Sequence, residues 1–366
     1  MPNILNKPSE ETFIRVAEAL EKQVQINEIV DRSGSPGSDK LFAGTKHAGF
    51  LGFVRAEDFI TGADLCTAIG LSQGSLINSN TPWIKYIWRG RIRFTPLKPI
   101  RHSASWDAIY NAGCVYATGN EGLLPPKGRL GVGLSIDGSD NSINTANQNF
   151  LGDQSVDMGY ADTVGQVGDT LVLKGWSNSA NNGSFEILSI TNEKIVLDGN
   201  LTTESGDRLK RFYNQANAVT QDTTVDIGEV GQELTYKVGL FRGAADDSTD
   251  SFVDSDRGGR GIENEWNWII GQLHEQAKLK NWVYPQYMDI DLGDFGVYLT
   301  DEDLVTHHTH GAGSYTWCQE VRDDESWRRV HRGFFGVSLL SAYFSWFTPS
   351  SRGFRPRLEL SQTATF

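Results

Sequence analysis

The spacing of hydrophobic and polar positions changes several times along the chain, and each change predicts a different element. Near the start, Ser9 is placed as a helix N-cap, and apolar residues then recur at helical spacing through Phe13, Val16, Leu20 and Val24. The apolar stripe spans only residues 9–28, which is too short to indicate a coiled coil. It predicts a helix that docks on a neighbour or associates with its own copies.

The next segments predict a linker, two short helices and a hairpin. Residues 31–49 are rich in Ser, Gly and charge, as linkers are. Thr61 and Gly70 delimit one predicted helix over 61–69, and Ser105 and Gly113 delimit another. Between them, "WIKYIWRGRIRF" alternates apolar and polar residues on both sides of Arg89 and Gly90, which predicts a hairpin.

Later in the chain a longer helix precedes a series of short strands. Trp266, Ile269, Ile270, Leu273 and Ala277 have the spacing of an amphipathic helix. Strands are predicted after this helix, at residues 286–300, 314–322, 328–337 and 353–360. A few helices among many short strands predict the α+β class.

A separate β unit is predicted in the middle of the chain. Residues 162–207 alternate apolar and polar positions between Gly and Asn turns. We therefore expect a small all-β domain over 155–212, inserted into a discontinuous α+β domain formed by 50–154 and 213–366. Residues 1–49 precede that domain as a docking helix and linker.

Charge and cysteine content exclude several classes of protein. The chain has 33 basic and 46 acidic residues and a net charge of −13, whereas nucleic-acid binders need a basic face. Cys66, Cys114 and Cys318 are odd in number and far apart, so they predict neither a disulfide framework nor a zinc site. Neither a leader peptide nor an apolar run of membrane-spanning length is recognisable. No nucleic-acid partner, membrane insertion, export by signal peptide or cofactor is expected.

Parts of the sequence resemble virion structural proteins of tailed bacteriophages. The order of "WIKY", "RGRIRFTPLKPIRHSASWDAI" and the closing "GFRPRLEL" is similar to a module of those proteins. The stretch "GDTLVLKGWSNSANNGSFEILSI" with "KIVLDGNLTTESGD" resembles a β-sandwich-like repeat inserted in many of them. The resemblance implies a binding or architectural role in the virion, after assembly in the host cytoplasm.

A second resemblance concerns the C-terminal part. "RVHRG" at 329–333 together with "GFR" at 353–355 resembles the closing signature of the formylglycine-generating-enzyme group, a branch of the C-type-lectin-like fold. It implies that both strands share one sheet, with Arg332 and Arg355 buried against carboxylates or carbonyls. The sequence departs from the pattern after Gly333, and Cys318 has no nearby cysteine, so the oxidase chemistry of the group is not expected.

Candidate sites for metals and catalysis are weak. His308 and His310 would point to one side of a strand and, in a trimer, could surround an octahedral iron. Residues 289–294 and 137–144 hold several oxygens without the ligand spacing of a calcium loop. Adjacent carboxylates such as Asp323 and Asp324 are compatible with glycosidase chemistry. Solvated loops are the expected explanation in each case, and neither a metal site nor an enzyme is predicted.

Aromatic residues form the preferred candidate binding site. Tyr343, Trp346 and Phe347 precede a turn made by Pro349 to Gly353, and Tyr315 and Trp317 are also expected on or beside loops. Aromatic rings on a rigid scaffold suit sugar faces and protein hot spots, but they also dominate cores. The sequence therefore predicts a receptor patch, with core packing as the alternative.

The expected function is that of a tail-associated fibre or adhesin that attaches a phage to its host. A homotrimer that contacts other virion proteins and a host glycan or protein is expected. The alternatives are an architectural head fibre, decoration or collar protein and, less favoured, a polysaccharide-degrading virion enzyme. The chain lacks the regular 20–30-residue repeats of a parallel β-helix, which argues against a tailspike depolymerase.

Overall fold

The structure is a computed structural model of the chain. It describes residues 34–117, 129–130, 134–145, 150–151, 165–205, 211–214, 222–244, 251–252, 264–274, 299–305, 311–322, 325–333 and 336–361. The predicted docking helix over 9–28, the histidines His308 and His310 and the segment 289–294 lie outside these residues.

Short strands dominate the described residues. The first strands in chain order are β1 (Ala43–Gly44), β2 (Ala48–Val54), β3 (Ser75–Leu76), β4 (Trp83–Trp88), β5 (Arg91–Pro96), β6 (Arg101–His102), β7 (Arg129–Leu130), β8 (Leu134–Asp137), β9 (Ser142–Thr145), β10 (Thr170–Lys174) and β11 (Gly183–Ile190). The others are β12 (Lys194–Leu197), β13 (Glu204–Ser205), β14 (Arg211–Asn214), β15 (Thr224–Ile227), β16 (Leu234–Gly239), β17 (Ser251–Phe252), β18 (Tyr315–Arg322), β19 (Glu325–Gly333), β20 (Gly336–Phe344), β21 (Arg352–Phe354) and β22 (Arg357–Leu360).

Sheet I contains strands from both ends of the described chain, in the order β1-β2-β4-β5-β22-β16-β15. The predicted hairpin forms β4 and β5, and its turn residues Arg89 and Gly90 have φ of 52° and 74°. Positive φ at both central positions matches the tight turn that fits the twist of a hairpin. β1 lies inside the segment predicted as a linker, and its residues Ala43 and Gly44 pair with β2. Residues 34–49 are therefore not a free linker, and the expectation is wrong for the part that pairs.

Two predicted helices pack against one face of sheet I. Helix α1 (Gly62–Ala68) begins after Thr61, whose side chain accepts a hydrogen bond from the Asp64 amide. Helix α2 (Trp106–Asn111) begins after Ser105, which caps it in the same way. Their apolar faces join the alternate residues of sheet I in the first core, which includes Leu65, Trp83, Phe94, Trp106, Ile109, Tyr236, Val238 and Leu358. These helix predictions are confirmed.

A third helical segment covers the other face of sheet I. The predicted amphipathic helix, labelled α3, is described over 264–274, and its central residues Asn267–Gly271 form a π-helix. Trp266, Ile270 and Leu273 are buried in the second core with Tyr86 and Trp88 of β4. A fourth helix, α4 (Asp301–Leu304), begins with a capping box between Thr300 and Asp303.

Sheet III carries the C-terminal arginines and aromatics. Its strand order is β20-β19-β18-β21-β6-β3, and β17 pairs with β18 outside this path. The strands with "RVHRG" and "GFR", β19 and β21, lie in the same sheet on either side of β18. Val330, Leu340 and Cys318 extend the second core, whereas Trp317 belongs to the first. Sheet III therefore joins both cores.

Sheet II is the inserted β unit, and it begins earlier than the sequence predicts. Its strand order is β13-β8-β9-β12-β11-β10-β14-β7, so it starts at Arg129 and ends at Asn214. It has its own core, which includes Leu134, Ile136, Ile143, Phe150, Leu171, Leu173, Ile187, Ile195 and Leu197. The boundary at 155 was misplaced because the pairing of β9 with β12 joins segments that are far apart in sequence.

The described chain is a mixed α+β structure in which β-sheet dominates. The first and second cores lie on opposite faces of sheet I, and sheet II encloses the third core. None of the described helices is long and apolar enough to span a membrane.

The revised boundary generates a deletion test. Gly113 and Thr223 flank the insertion, and the amide of Thr223 donates to the Gly113 carbonyl at 3.0 Å, so the chain leaves and returns at neighbouring points. Replacing residues 118–221 with a flexible linker of about eight Gly and Ser residues should preserve a cooperative thermal transition of the remainder. Deleting 155–212 alone should instead remove β13 from its pairing with β8 and β12 from its pairing with β9, and give a protease-sensitive product. Identical melting of the two deletions would contradict this boundary.

Candidate functional site

Tyr315 and Trp317 of the predicted receptor patch lie in the interior. Trp317 is 0% and Tyr315 only 5% exposed. The Trp317 indole donates to the carbonyl oxygen of Ala104 at 2.9 Å, which ties sheet III to the start of helix α2. Neither ring is accessible to a receptor in this structure.

Tyr343, Trp346 and Phe347 lie at the end of β20 and in the turn that follows it. Tyr343 packs against the first core, whereas Trp346 stacks on Phe344 at 5.0 Å and both pack against the core of sheet II. Phe347 is 43% exposed. The aromatic segment therefore bridges the inserted unit and the main domain, and of the predicted patch Phe347 is the most exposed ring.

Arginines hold the aromatic rings of sheet III by contacts with the ring faces. The Arg352 guanidinium lies 3.8 Å from the centre of the Tyr315 ring and 4.6 Å from that of Tyr343. Arg329 lies 4.2 Å from the Trp106 ring. Such cation–π contacts strengthen when water is excluded. The alternation of arginines and aromatics near the C-terminus therefore builds a packed layer.

Replacement of Trp346 and of Phe347 separates packing from surface exposure. Trp346→Ala should lower the free energy of unfolding by about 2 kcal/mol or more, because it uncovers the core of sheet II. Phe347→Ala should change it by no more than about 0.5 kcal/mol, because much of that ring is exposed. Denaturant unfolding of both variants measures the difference. Equal effects would show that the two rings share one environment.

His331 is buried between the rings of this layer. Its ring lies 4.3 Å from the Tyr315 ring and 5.9 Å from that of Trp317. Among the described residues neither ring nitrogen has a hydrogen-bond partner. Burial, together with the charge of Arg352, holds the pKa of His331 well below 6.5. The folded protein therefore keeps this imidazole neutral near neutral pH.

Stability should fall as the pH falls below about 6.5, because the unfolded chain then binds a proton at His331 that the folded chain does not. The loss for one such group approaches about 1.4 kcal/mol per pH unit. Arg352 is the charged side chain that acts on His331, and Tyr315 is a titratable side chain in contact with its ring. Chemical denaturation between pH 7 and 5 should show a shallower dependence for His331→Phe, whereas His47→Gln at an exposed position should leave it unchanged. Parallel slopes for wild type and His331→Phe would contradict the assignment.

Arg332 and Arg355 are both fully buried and bind mainly backbone oxygens. Arg355 donates to the carbonyls of Pro96, Leu97 and Leu304 at 2.8, 2.6 and 3.0 Å. Arg332 donates to the Gly243 carbonyl at 2.6 Å and to the Asn267 side chain at 2.9 Å. Each guanidinium therefore connects segments from different parts of the chain.

On the second face of sheet I lies a pocket that the sequence did not predict, called the cationic pocket. Its volume is about 260 Å³, and its lining is Arg91, Arg93, Tyr116, Ala117, Lys237, Arg242, Gln319, Arg357 and Glu359. Three adjacent strands supply its floor: β5, β22 and β16. Arg93 pairs with Glu359, and Glu359 pairs with Lys237, so these side chains share one face.

A network of ion pairs fixes the inner wall of the cationic pocket. The buried Glu265 carboxylate accepts from Arg93 at 2.6 Å, from Arg357 at 3.0 Å and from the Tyr86 hydroxyl at 2.9 Å. Burial alone would raise the pKa of Glu265, but the charges of Arg93 and Arg357 outweigh it and lower the pKa. Glu265 therefore remains ionised.

The outer side of the pocket is more exposed than the inner wall. Glu359 accepts from Arg93 at 2.8 Å and from Arg91 at 2.7 Å, and the Arg91 side chain is 47% exposed. Lys237 is partly buried and has no side-chain hydrogen bond or ion pair with any residue that the structure describes. The alternation in "RIRF", "YKVG" and "RLEL" is the sequence signal that could have indicated this pocket, because it places charged side chains on one face of each strand and apolar side chains on the other.

The described part of the chain holds no cluster of three or more residues suited to metal binding. Residues 137–144 include the turn between β8 and β9, where Asp137 accepts from Ser139 and Asp140 pairs with Lys194. The carboxylates of this segment are therefore engaged in a turn and an ion pair.

Comparison with known proteins gives no family assignment. No protein-family model, no curated protein and no solved structure matches the chain.

Proposed function

We propose that this chain is a structural component of a tailed-bacteriophage virion, with the role of a tail-associated fibre or adhesin that binds the host surface. The sequence resemblances at "RGRIRFTPLKPIRHSASWDAI" and at the inserted unit support the class of protein. The observation that carries the proposal is the architecture: a β-rich scaffold holds an inserted β unit with its own core, next to an aromatic turn. Binding modules are commonly built from loops on such rigid scaffolds.

We also propose that the main domain has the C-type-lectin-like fold. The placement of β19 and β21 in one sheet, with the turn over 345–351 between β20 and β21, supports it. Two helices beside mixed short strands are compatible with the same fold. The described residues form a preformed ionic pocket, which supports binding as the proposed activity.

The proposed assembly is a homotrimer that contacts other virion proteins. Symmetric assembly is common for fibre-like parts, and the apolar stripe over 9–28 provides a segment for association. Host contact would involve a surface glycan or protein.

An architectural role, as a head fibre, decoration or collar protein, is the second candidate. It is favoured by the packing of Phe344 and Trp346 on the core of sheet II. These two rings connect the main domain to the inserted unit, so Trp346 of the predicted patch has a packing role. The surface that remains for host contact then includes Phe347 and the mouth of the cationic pocket.

Localisation on particles and competition for adsorption distinguish the two roles. Antibody-labelled virions of the phage that encodes the chain should carry the label on the tail. Purified full-length chain added to host cells should reduce phage adsorption in a dose-dependent manner, because it occupies the same receptor. An equal concentration of an unrelated acidic protein should have no effect.

Label on the head or collar, together with unchanged adsorption, would replace the adhesin role with the architectural one. Absence of the chain from purified virions would overturn both.

A further inference from the structure

Among the residues that the structure describes, the lining of the cationic pocket has more basic than acidic side chains. Arg91, Arg93, Lys237, Arg242 and Arg357 line it, and Glu359 is the acidic residue of the lining. Positive charge remains in excess even when the buried carboxylates Glu265 and Glu320 behind it are included. The cluster of basic side chains contrasts with the net charge of −13 of the whole chain, and grouped positive charges of this kind favour an anion nearby.

The guanidinium groups of Arg93 and Arg357 are held in place by the protein itself. Arg93 and Arg357 are held by Glu265, and the second terminal nitrogen of Arg357 donates to the Tyr116 carbonyl at 3.1 Å. Gly239 gives the guanidinium room, since a Cβ at that position would lie 3.0 Å from the Arg357 nitrogen and 2.8 Å from the Ala117 side chain. A preformed site loses little conformational entropy on binding.

The walls beside the arginines are also tied down. The Gln319 side-chain amide donates to the carbonyls of Val115 and Leu240 at 3.0 and 2.8 Å. Glu320 accepts from the amides of Gly243 and Ala244 at 2.8 and 3.2 Å, which fixes the segment that carries Arg242. The pocket therefore has a rigid frame and a mouth at Arg91 and Lys237.

The size and chemistry of the pocket define what it can accept. Its volume of about 260 Å³ is below the range of roughly 300–1,000 Å³ found for drug-sized ligands. The lining is dominated by charged and polar groups, and planar guanidiniums match carboxylate and phosphate oxygens. A single small anionic group fits these conditions better than an apolar ligand does.

We propose that the cationic pocket is an oxyanion-binding site that takes a carboxylate or phosphate group at its mouth, between Lys237 and Arg91. Glu359 orients Arg91 and Arg93, and the buried pairs with Glu265 keep the inner guanidiniums in position. This site goes beyond the proposed role in the virion and stands whether or not the chain is an adhesin.

Titration with small anions tests the proposal. The full-length chain is titrated by calorimetry with glucuronate, with inorganic phosphate and with neutral glucose, all at one ionic strength set with chloride. We expect saturable binding of glucuronate, phosphate or both, and none of glucose. Binding should weaken as salt is added, because the mouth of the pocket is exposed to screening.

Matched variants locate the binding. Lys237→Glu should raise the Kd at least about tenfold by placing a like charge beside the ligand, and Lys237→Met should raise it less. Lys40→Glu makes the same change of charge at an exposed position distant in sequence and should leave the Kd unchanged. The melting temperature without ligand checks that each variant is folded, and the Met variant keeps the test valid if the Glu variant does not fold.

The outcomes separate the possible ligands. Binding of glucuronate alone assigns a carboxylate site, binding of phosphate alone assigns a phosphate site, and binding of both assigns an oxyanion site without discrimination. No saturable binding of either anion, or binding that Lys237→Met and Lys237→Glu leave unchanged, would overturn the proposal. These results are independent of where the chain lies on the virion, so failure here leaves the proposed function to its own test.

Discussion

The buried carboxylate of Glu265 is the interaction on which the arrangement of the main domain depends. It lies at the start of the 264–274 helical segment, and its three donors come from β4, β5 and β22. An ionised carboxylate in an interior is tolerated only when its oxygens are satisfied, and loss of one partner leaves an uncompensated charge. The geometry of Glu265 therefore fixes both the register of three strands and the position of the helix that covers them.

The buried arginines extend the same constraint to the rest of the domain. Arg355 binds carbonyls at the end of β5, in the segment that follows it and at the end of helix α4, while Arg332 binds the loop at Gly243 and the side chain of Asn267. These carbonyls lie at the end of a strand, at the end of a helix and in the loops that connect such elements. Since unpaired polar groups are costly in an interior, the arginines stabilise loops that a purely apolar core could not hold.

The inserted unit and the cationic pocket are connected to the main domain in different ways. Sheet II has its own core, so its sequence can change with little effect on sheet I, and its contact with the main domain includes Phe344 and Trp346. The pocket, in contrast, is part of the ionic layer that holds the domain together. Its inner residues Arg93 and Arg357 are held by Glu265, whereas on the outer side the Arg91 side chain is 47% exposed and Lys237 is partly buried.

Local patterns of the sequence determined the elements whose causes are local. Thr61 and Ser105 cap helices, and Arg89 and Gly90 turn a hairpin, because these structures depend on residues a few positions apart. The alternation in "RIRF" and "RLEL" likewise separates a charged face from an apolar one within each strand. The tertiary structure alone decided which strands are neighbours: it extended the inserted unit back to Arg129, drew residues 43–44 into sheet I and buried Trp317. It also brought Arg93, Lys237, Glu265 and Glu359 together, since pairing between strands far apart in sequence depends on burial and charge balance that no short segment contains.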